Sequence, residues 1–113
     1  YVISAHGMLS TKDSPKYTVL GANLVENGIG FVRFDFTGCG ESSGDFADST
    51  LTQRIEDLTK IIDWTVSLET CNGTMGLFGS SLGGTVALVA SSLREVDTLV
   101  LLATPVKQKT APP

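Results

Sequence analysis

Thr74-Met75-Gly76-Leu77-Phe78-Gly79-Ser80-Ser81-Leu82-Gly83-Gly84-Thr85-Val86-Ala87-Leu88-Val89-Ala90 is the stretch that decides the fold. A short apolar run of strand length leads into Gly79-Ser80-Ser81-Leu82-Gly83. A longer apolar run, of helical length, leads out towards Leu93. The residues between them have the pattern Gly-x-Ser-x-Gly on a strand-to-helix turn, the setting in which that pattern is a nucleophile elbow. A turn that sharp brings the serine against its neighbours' backbones. Glycine two residues to either side removes the side chains that would collide there. Ser81 is therefore expected at the carboxyl end of a strand, with the Leu82 N–H beside it at a helix N-terminus.

Outward from the elbow, short strand-like runs alternate with helical ones. Residues 1–5 read as a strand and 6–16 as a polar loop. Residues 17–27 read as a helix with Leu20, Leu24 and Val25 inward and Gly28 as its stop. Residues 30–36 (GFVRFDF) read as a strand and 37–49 as a Gly/Ser-rich loop. Residues 50–69 read as the longest helix, with Leu51, Ile55, Leu58 and Ile62 on one apolar face. Thr50 with Gln53 suits a capping box there, and Asp48 or Ser49 serves equally well as the cap. Asn72-Gly73 marks a turn, 74–79 the strand before the elbow, 82–93 the helix after it and 97–103 a last strand. Trp64 and Phe78 read as core. This βαβαβαβ order predicts a single α/β domain over 1–113, a three-layer sandwich on a parallel sheet with right-handed crossovers, and a loose tail over 104–113. In such sheets ligands bind outside the carboxyl ends of the strands.

The other chemistry-bearing residues fall at those ends. His6-Gly7 follows the first strand, and the glycine allows a tight turn that aims the Met8 N–H at the space beside the Leu82 N–H. Two such donors make an oxyanion hole, in which the loss of one typically costs about 3 kcal/mol in the barrier. The loop from Asp35 to Gly44 follows the second strand. Arg33 and Asp35 are expected to make strand-end hydrogen bonds or ion pairs, Ser42 to hold the loop backbone, and Ser80 to act as a structural polar residue.

Together the HG pair, the D-x-x-G-x-G-x-S-x-G loop and the G-x-S-x-G elbow, in that order, resemble the α/β-hydrolase superfamily. More narrowly, HGMLSTKDSPKY followed by VRFDFTGCGESSGDF looks like its feruloyl-esterase and serine-aminopeptidase-like branch. The resemblance covers essentially the whole chain. It implies the third to sixth strands of a partial α/β-hydrolase core, in spatial order fourth, third, fifth, sixth. It implies Ser81 as nucleophile, Met8 and Leu82 as oxyanion donors, and His6, Gly7, Gly79 and Gly83 as loop-shaping residues. The implied reaction is attack on a carboxylic ester, thioester or amide through an acyl-enzyme, with neither metal nor organic cofactor. Where the branch often carries His or Arg before the loop's second glycine, this chain has Cys39.

The superfamily order is serine, acid, histidine. No histidine follows Ser81, the single histidine is His6, and Glu95 and Asp97 precede the last strand. The chain thus reads as the central part of a hydrolase with its native N-terminus missing or removed, lacking the triad acid and base and showing little turnover alone. A non-catalytic hydrolase-like domain that binds a ligand or partner is the competing reading. Nucleotide binding fits poorly. Gly84 stands where a P-loop needs Lys, and Ser43 where a dinucleotide loop needs its last glycine.

The formal net charge is −4 with no basic run, which leaves nucleic acid without an electrostatic footprint. Apolar stretches reach about ten residues, against the roughly twenty that a helix needs to span a bilayer. The expected partner is a small ester or acyl substrate, with self-association through exposed sheet edges. Cys39 and Cys71 are expected as free thiols of a cytoplasmic protein, Cys39 passive in its loop.

Overall fold

The computed structural model describes residues 1–105. Its strands are β1 (Val2–Ala5), β2 (Phe31–Arg33), β3 (Gly76–Ser80) and β4 (Thr98–Leu102), and its α-helices α1 (Pro15–Glu26), α2 (Leu51–Val66) and α3 (Leu82–Leu93). A short 3-10 turn, Phe46–Asp48, interrupts the loop before α2 and was not foreseen. The four strands are parallel and lie in the order β2-β1-β3-β4, as the superfamily resemblance implies. The tail over 104–113 falls mostly outside the described residues.

Ile3 pairs with Leu77, and Ser4 with Phe78. Alternation along each strand sends these pairs to opposite faces. Ile3, Ala5 and Leu77 join Leu58, Ile62, Val86, Ala87 and Ala90 in the core beneath α2 and α3, which pack on one another. Phe78 turns to the other face and meets Tyr17 of α1 edge-on, ring centroids 6.2 Å apart. Right-handed crossovers require this division. The chain steps one way from β1 to β2 through α1, and the other way through α2 and α3.

Several local expectations change. β2 stops at Arg33 instead of running to Phe36, because the Phe36 N–H leaves the ladder and donates to His6 Nε2 at 3.2 Å. On α1 Tyr17 and Gly21 are the buried residues, Leu20 and Leu24 are half-buried, and Val25 is 62% exposed. On α2 they are Arg54, Leu58, Thr59, Ile62 and Thr65, while Leu51 faces out. Trp64 is 54% exposed, since two residues of helix past Ile62 turn it to the opposite side. Thr50 is the cap of α2, its hydroxyl accepting the Gln53 N–H at 3.1 Å. Gln53 turns its side chain to Asp57 instead of completing the box.

On β4, Val100, Leu101 and Leu102 are exposed apolar residues. No helix is long and apolar enough to cross a membrane among the described residues.

Candidate active site

β3 ends at Ser80 and α3 starts at Leu82, so Ser81 alone makes the turn. It does so at φ 54 and ψ −120, a backbone state that L side chains avoid at a cost of about 1–3 kcal/mol. Three hydrogen bonds hold it there. The Ser81 N–H donates to the Leu102 carbonyl at 2.9 Å, and the Ser81 carbonyl accepts from the Gly84 N–H at 3.0 Å and the Thr104 hydroxyl at 3.1 Å. The Ser81 side chain is exposed.

The flanking glycines are where backbones meet. A β-carbon at Gly79 would stand 2.5 Å from Gly84 Cα. One at Gly83 would overlap the Ala5 carbonyl oxygen and stand 2.6 Å from that of His6. The elbow therefore presses directly on the end of β1. Gly7 lies on the other side of the contact: a β-carbon there would be 3.6 Å from Ser81 Cβ and from the Ser80 carbonyl oxygen. Among the described residues, neither the Met8 nor the Leu82 N–H has a protein acceptor. The loop after β1 and the N-terminus of α3 thus meet at Ser81, each with an amide donor unused.

His6 is fully buried. Its Nε2 accepts the Phe36 N–H, which leaves the proton on Nδ1 to be donated to the Gly7 carbonyl at 2.8 Å. Burial pushes the imidazole below its ordinary value, with the Arg54 charge adding to that and the Gly7 carbonyl and the Asp35 charge opposing it. Both ring nitrogens are committed to the loop, so the chain's one imidazole has none to accept a proton from Ser81.

The loops after β1 and β2 are tied through Asp35. Its carboxylate accepts the Lys12 N–H at 2.8 Å, the Lys12 ammonium at 2.9 Å and the Glu41 N–H at 3.0 Å. Burial alone would push this carboxyl up, but these donors together hold it below its ordinary value. Gly40, at φ +51, leaves room for it, since a β-carbon there would strike the carboxylate. Arg33 pairs with Asp13 at 2.7 Å, Ser42 donates to the Asp35 carbonyl at 2.7 Å, and buried Ser80 accepts from Lys16 at 3.1 Å. These are the structural bonds that the residue types suggested. Asp97 sits at the amino end of β4, its carboxylate accepting the Met75 N–H at 2.7 Å, far along the sheet from Ser81.

Two residues beside the site were not legible. Arg54 of α2 is fully buried behind the loop after β1. It donates to the carbonyls of Gly7 at 3.4 Å and Met8 at 3.3 Å, and lies over the Phe36 ring at 5.0 Å. The Cys39 sulfur lies 3.5 Å from it, and both cysteines are free. The period of the buried α2 face passes through position 54, which is the one signal that marks Arg54. Tyr17 is also fully buried, and its hydroxyl has no hydrogen-bond partner among the described residues. Burial pushes the phenol up; the Ser80 hydroxyl and Gly7 amide, close by but outside hydrogen-bonding geometry, pull less strongly the other way. A surface depression lined by residues 91–97 lies at the opposite end of the sheet from Ser81.

Residues 3–109 match the family described as X-Pro dipeptidyl-peptidase (S15 family). The chain is 31% identical over 101 residues to the palmitoyl-protein thioesterase ABHD10, mitochondrial, of Mus musculus, covering 89% of this chain and 32% of that protein. The solved structure of mouse alpha/beta hydrolase domain-containing protein 10 superposes with a TM-score of 0.79, at 31% identity over 91% of this chain and 40% of that one. Est1E of Butyrivibrio proteoclasticus, solved with ferulic acid, superposes with a TM-score of 0.82 at 24% identity, covering 87% of this chain and 40% of that one, a likeness of fold. The chain spans about a third of the length of the curated ABHD10 relatives it matches.

Proposed function

This chain belongs to the X-Pro dipeptidyl-peptidase (S15) family, within the α/β-hydrolase superfamily, and from that premise we propose that it carries the nucleophile and oxyanion hole of a serine hydrolase acting on carboxylic esters or related acyl bonds. The observation that carries the reading is the strained, exposed Ser81 between β3 and α3, with the Gly7–Met8 loop packed against it. Evolution retains such a backbone state where the surrounding structure over-determines it and function needs it.

In this reading the Ser81 oxygen attacks the acyl carbon and loses its proton to a base. The carbonyl oxygen becomes an oxyanion held by the Met8 and Leu82 N–H groups. The alcohol or thiol then leaves with a proton, and water releases the acid from Ser81. His6 shapes the loop, and the base comes from outside these 113 residues, so the chain alone turns over little. The thioesterases among its relatives suggest acyl–sulfur as well as acyl–oxygen substrates.

The test is hydrolysis of p-nitrophenyl and thioester acyl substrates by the protein that carries this chain. Ser81→Ala should reduce kcat by on the order of 10⁴-fold or more. Equal rates for the variant and the parent would remove Ser81 from the chemistry. The committed state of His6 favours one competitor, a ligand-binding domain without turnover. It predicts no hydrolysis in that assay by either protein.

A further inference from the structure

We propose that Arg54 is a positioning residue of the oxyanion hole: from behind, it fixes the peptide plane whose N–H group is the Met8 donor. The inference rests on the serine-hydrolase reading above and goes beyond it by assigning a residue outside the reacting groups.

Arg54 is an unusual residue to bury. Its side chain has no exposed surface, and no carboxylate lies within 4.0 Å of its guanidinium among the described residues. A buried charge without a counter-ion is strongly disfavoured unless its donors are satisfied. Here they are satisfied by neutral groups. Nε points to the Ser49 carbonyl at 3.4 Å, Nη1 to that of Gly7 at 3.4 Å, and Nη2 to that of Met8 at 3.3 Å. The Phe36 face and the Cys39 sulfur complete the surroundings.

The carbonyls it chooses matter because of peptide geometry. The Gly7 carbonyl and the Met8 N–H belong to one peptide unit, and the chain contains no cis peptide among its described residues. In a trans unit the two groups point in opposite directions. Arg54 and His6 both donate to the Gly7 oxygen and draw it inward, beside the Ser10 N–H of the loop's own turn, which donates to the same oxygen at 3.3 Å. The Met8 N–H is thereby turned away from the core. The second guanidinium contact, to the Met8 oxygen, fixes the following peptide and stops the pair from rotating together. The positive charge behind the Gly7 carbonyl also polarises that peptide, making its N–H a better donor to a developing oxyanion.

The experiment compares an oxygen ester with its thionoester, in which sulfur replaces the carbonyl oxygen and accepts hydrogen bonds poorly. It uses the protein that carries this chain, with Arg54→Met and Arg54→Lys beside the parent. Loss of an oxyanion donor lowers kcat by about 10²–10³-fold. Arg54→Met should lose about 100-fold on the oxygen ester and less than about 5-fold on the thionoester, by the same principle. Arg54→Lys keeps the charge but not the fork, and should fall between parent and Met on the oxygen ester. If the Met variant does not fold, the Lys variant decides alone. A folded variant whose two rates fall together, or do not fall, overturns the positioning role while leaving the Ser81 reading intact. A parent that hydrolyses neither ester overturns both.

Discussion

Gly83→Ala isolates the contact on which the elbow depends. The new methyl would overlap the Ala5 carbonyl oxygen and stand 2.6 Å from both the Ala5 carbonyl carbon and the His6 carbonyl oxygen, where ordinary contact begins at 3.4 Å. All three atoms are backbone at the end of β1, so no side chain can swing aside. Relief requires α3 and β1 to separate by more than an ångström. Overpacking a close-packed interior costs about 1–3 kcal/mol, occasionally more, and rigid backbone on both sides places this case at the upper end. Alanine returns up to about 1 kcal/mol through its better helix propensity. The net expectation is a loss of about 2–3 kcal/mol, a large share of the roughly 5–15 kcal/mol of a typical domain. Urea denaturation followed by far-UV circular dichroism reads it as a lower midpoint at unchanged slope. Gly7→Ala is the control, because its methyl would meet Ser81 Cβ and the Ser80 oxygen at an ordinary 3.6 Å. Although Gly7 is buried, it should cost less than about 1 kcal/mol, because the added methyl meets no atom closer than an ordinary contact. A Gly83→Ala protein within about 0.5 kcal/mol of the parent would refute the claim that backbone contact at Gly83 sets the elbow.

Other perturbations test neighbouring parts. Ser81→Gly and Ser81→Ala both remove the hydroxyl, but only glycine relieves the positive φ, so the glycine variant should be more stable by about 1–2 kcal/mol in the same titration. Equal stabilities would mean that the turn stores no strain. Tyr17→Phe deletes a buried hydroxyl that has no partner, so it should be neutral or stabilising by about 1 kcal/mol; a loss of that size would reveal a partner the geometry lacks. His6 is held neutral by burial, with its folded value below 6.5, so the unfolded chain binds the proton more readily. Its contribution to stability is complete above pH 6.5 and declines as the pH falls below it towards the folded value. Denaturation midpoints measured through this window should fall on acidification, and His6→Asn should flatten the slope.

The parts of the fold that were legible share a cause. Periodicity and turn chemistry are local, and the alternation of strand and helix leaves few topologies. The parallel α/β alternation, the turn between β3 and α3, and a polar cap before α2 (Thr50 being one of three equal candidates) followed from such signals, while the order β2-β1-β3-β4 was implied by the superfamily resemblance. What was not legible depends on tertiary partners. β2 is cut short by an imidazole thirty residues away in sequence, at His6. Trp64 reads as core by size and lies on the wrong side of its helix. Arg54 draws no reading from the sequence, and only the folded chain brings it the backbone carbonyls of a distant loop that satisfy its charge inside.

The most direct measurement is mass spectrometry of the protein that carries this chain after reaction with a fluorophosphonate. The account predicts one phosphonyl adduct, mapping to the peptide that contains Ser81 and absent from the Ser81→Ala protein. A folded protein that takes up no label, or takes it up at a different residue, would contradict it.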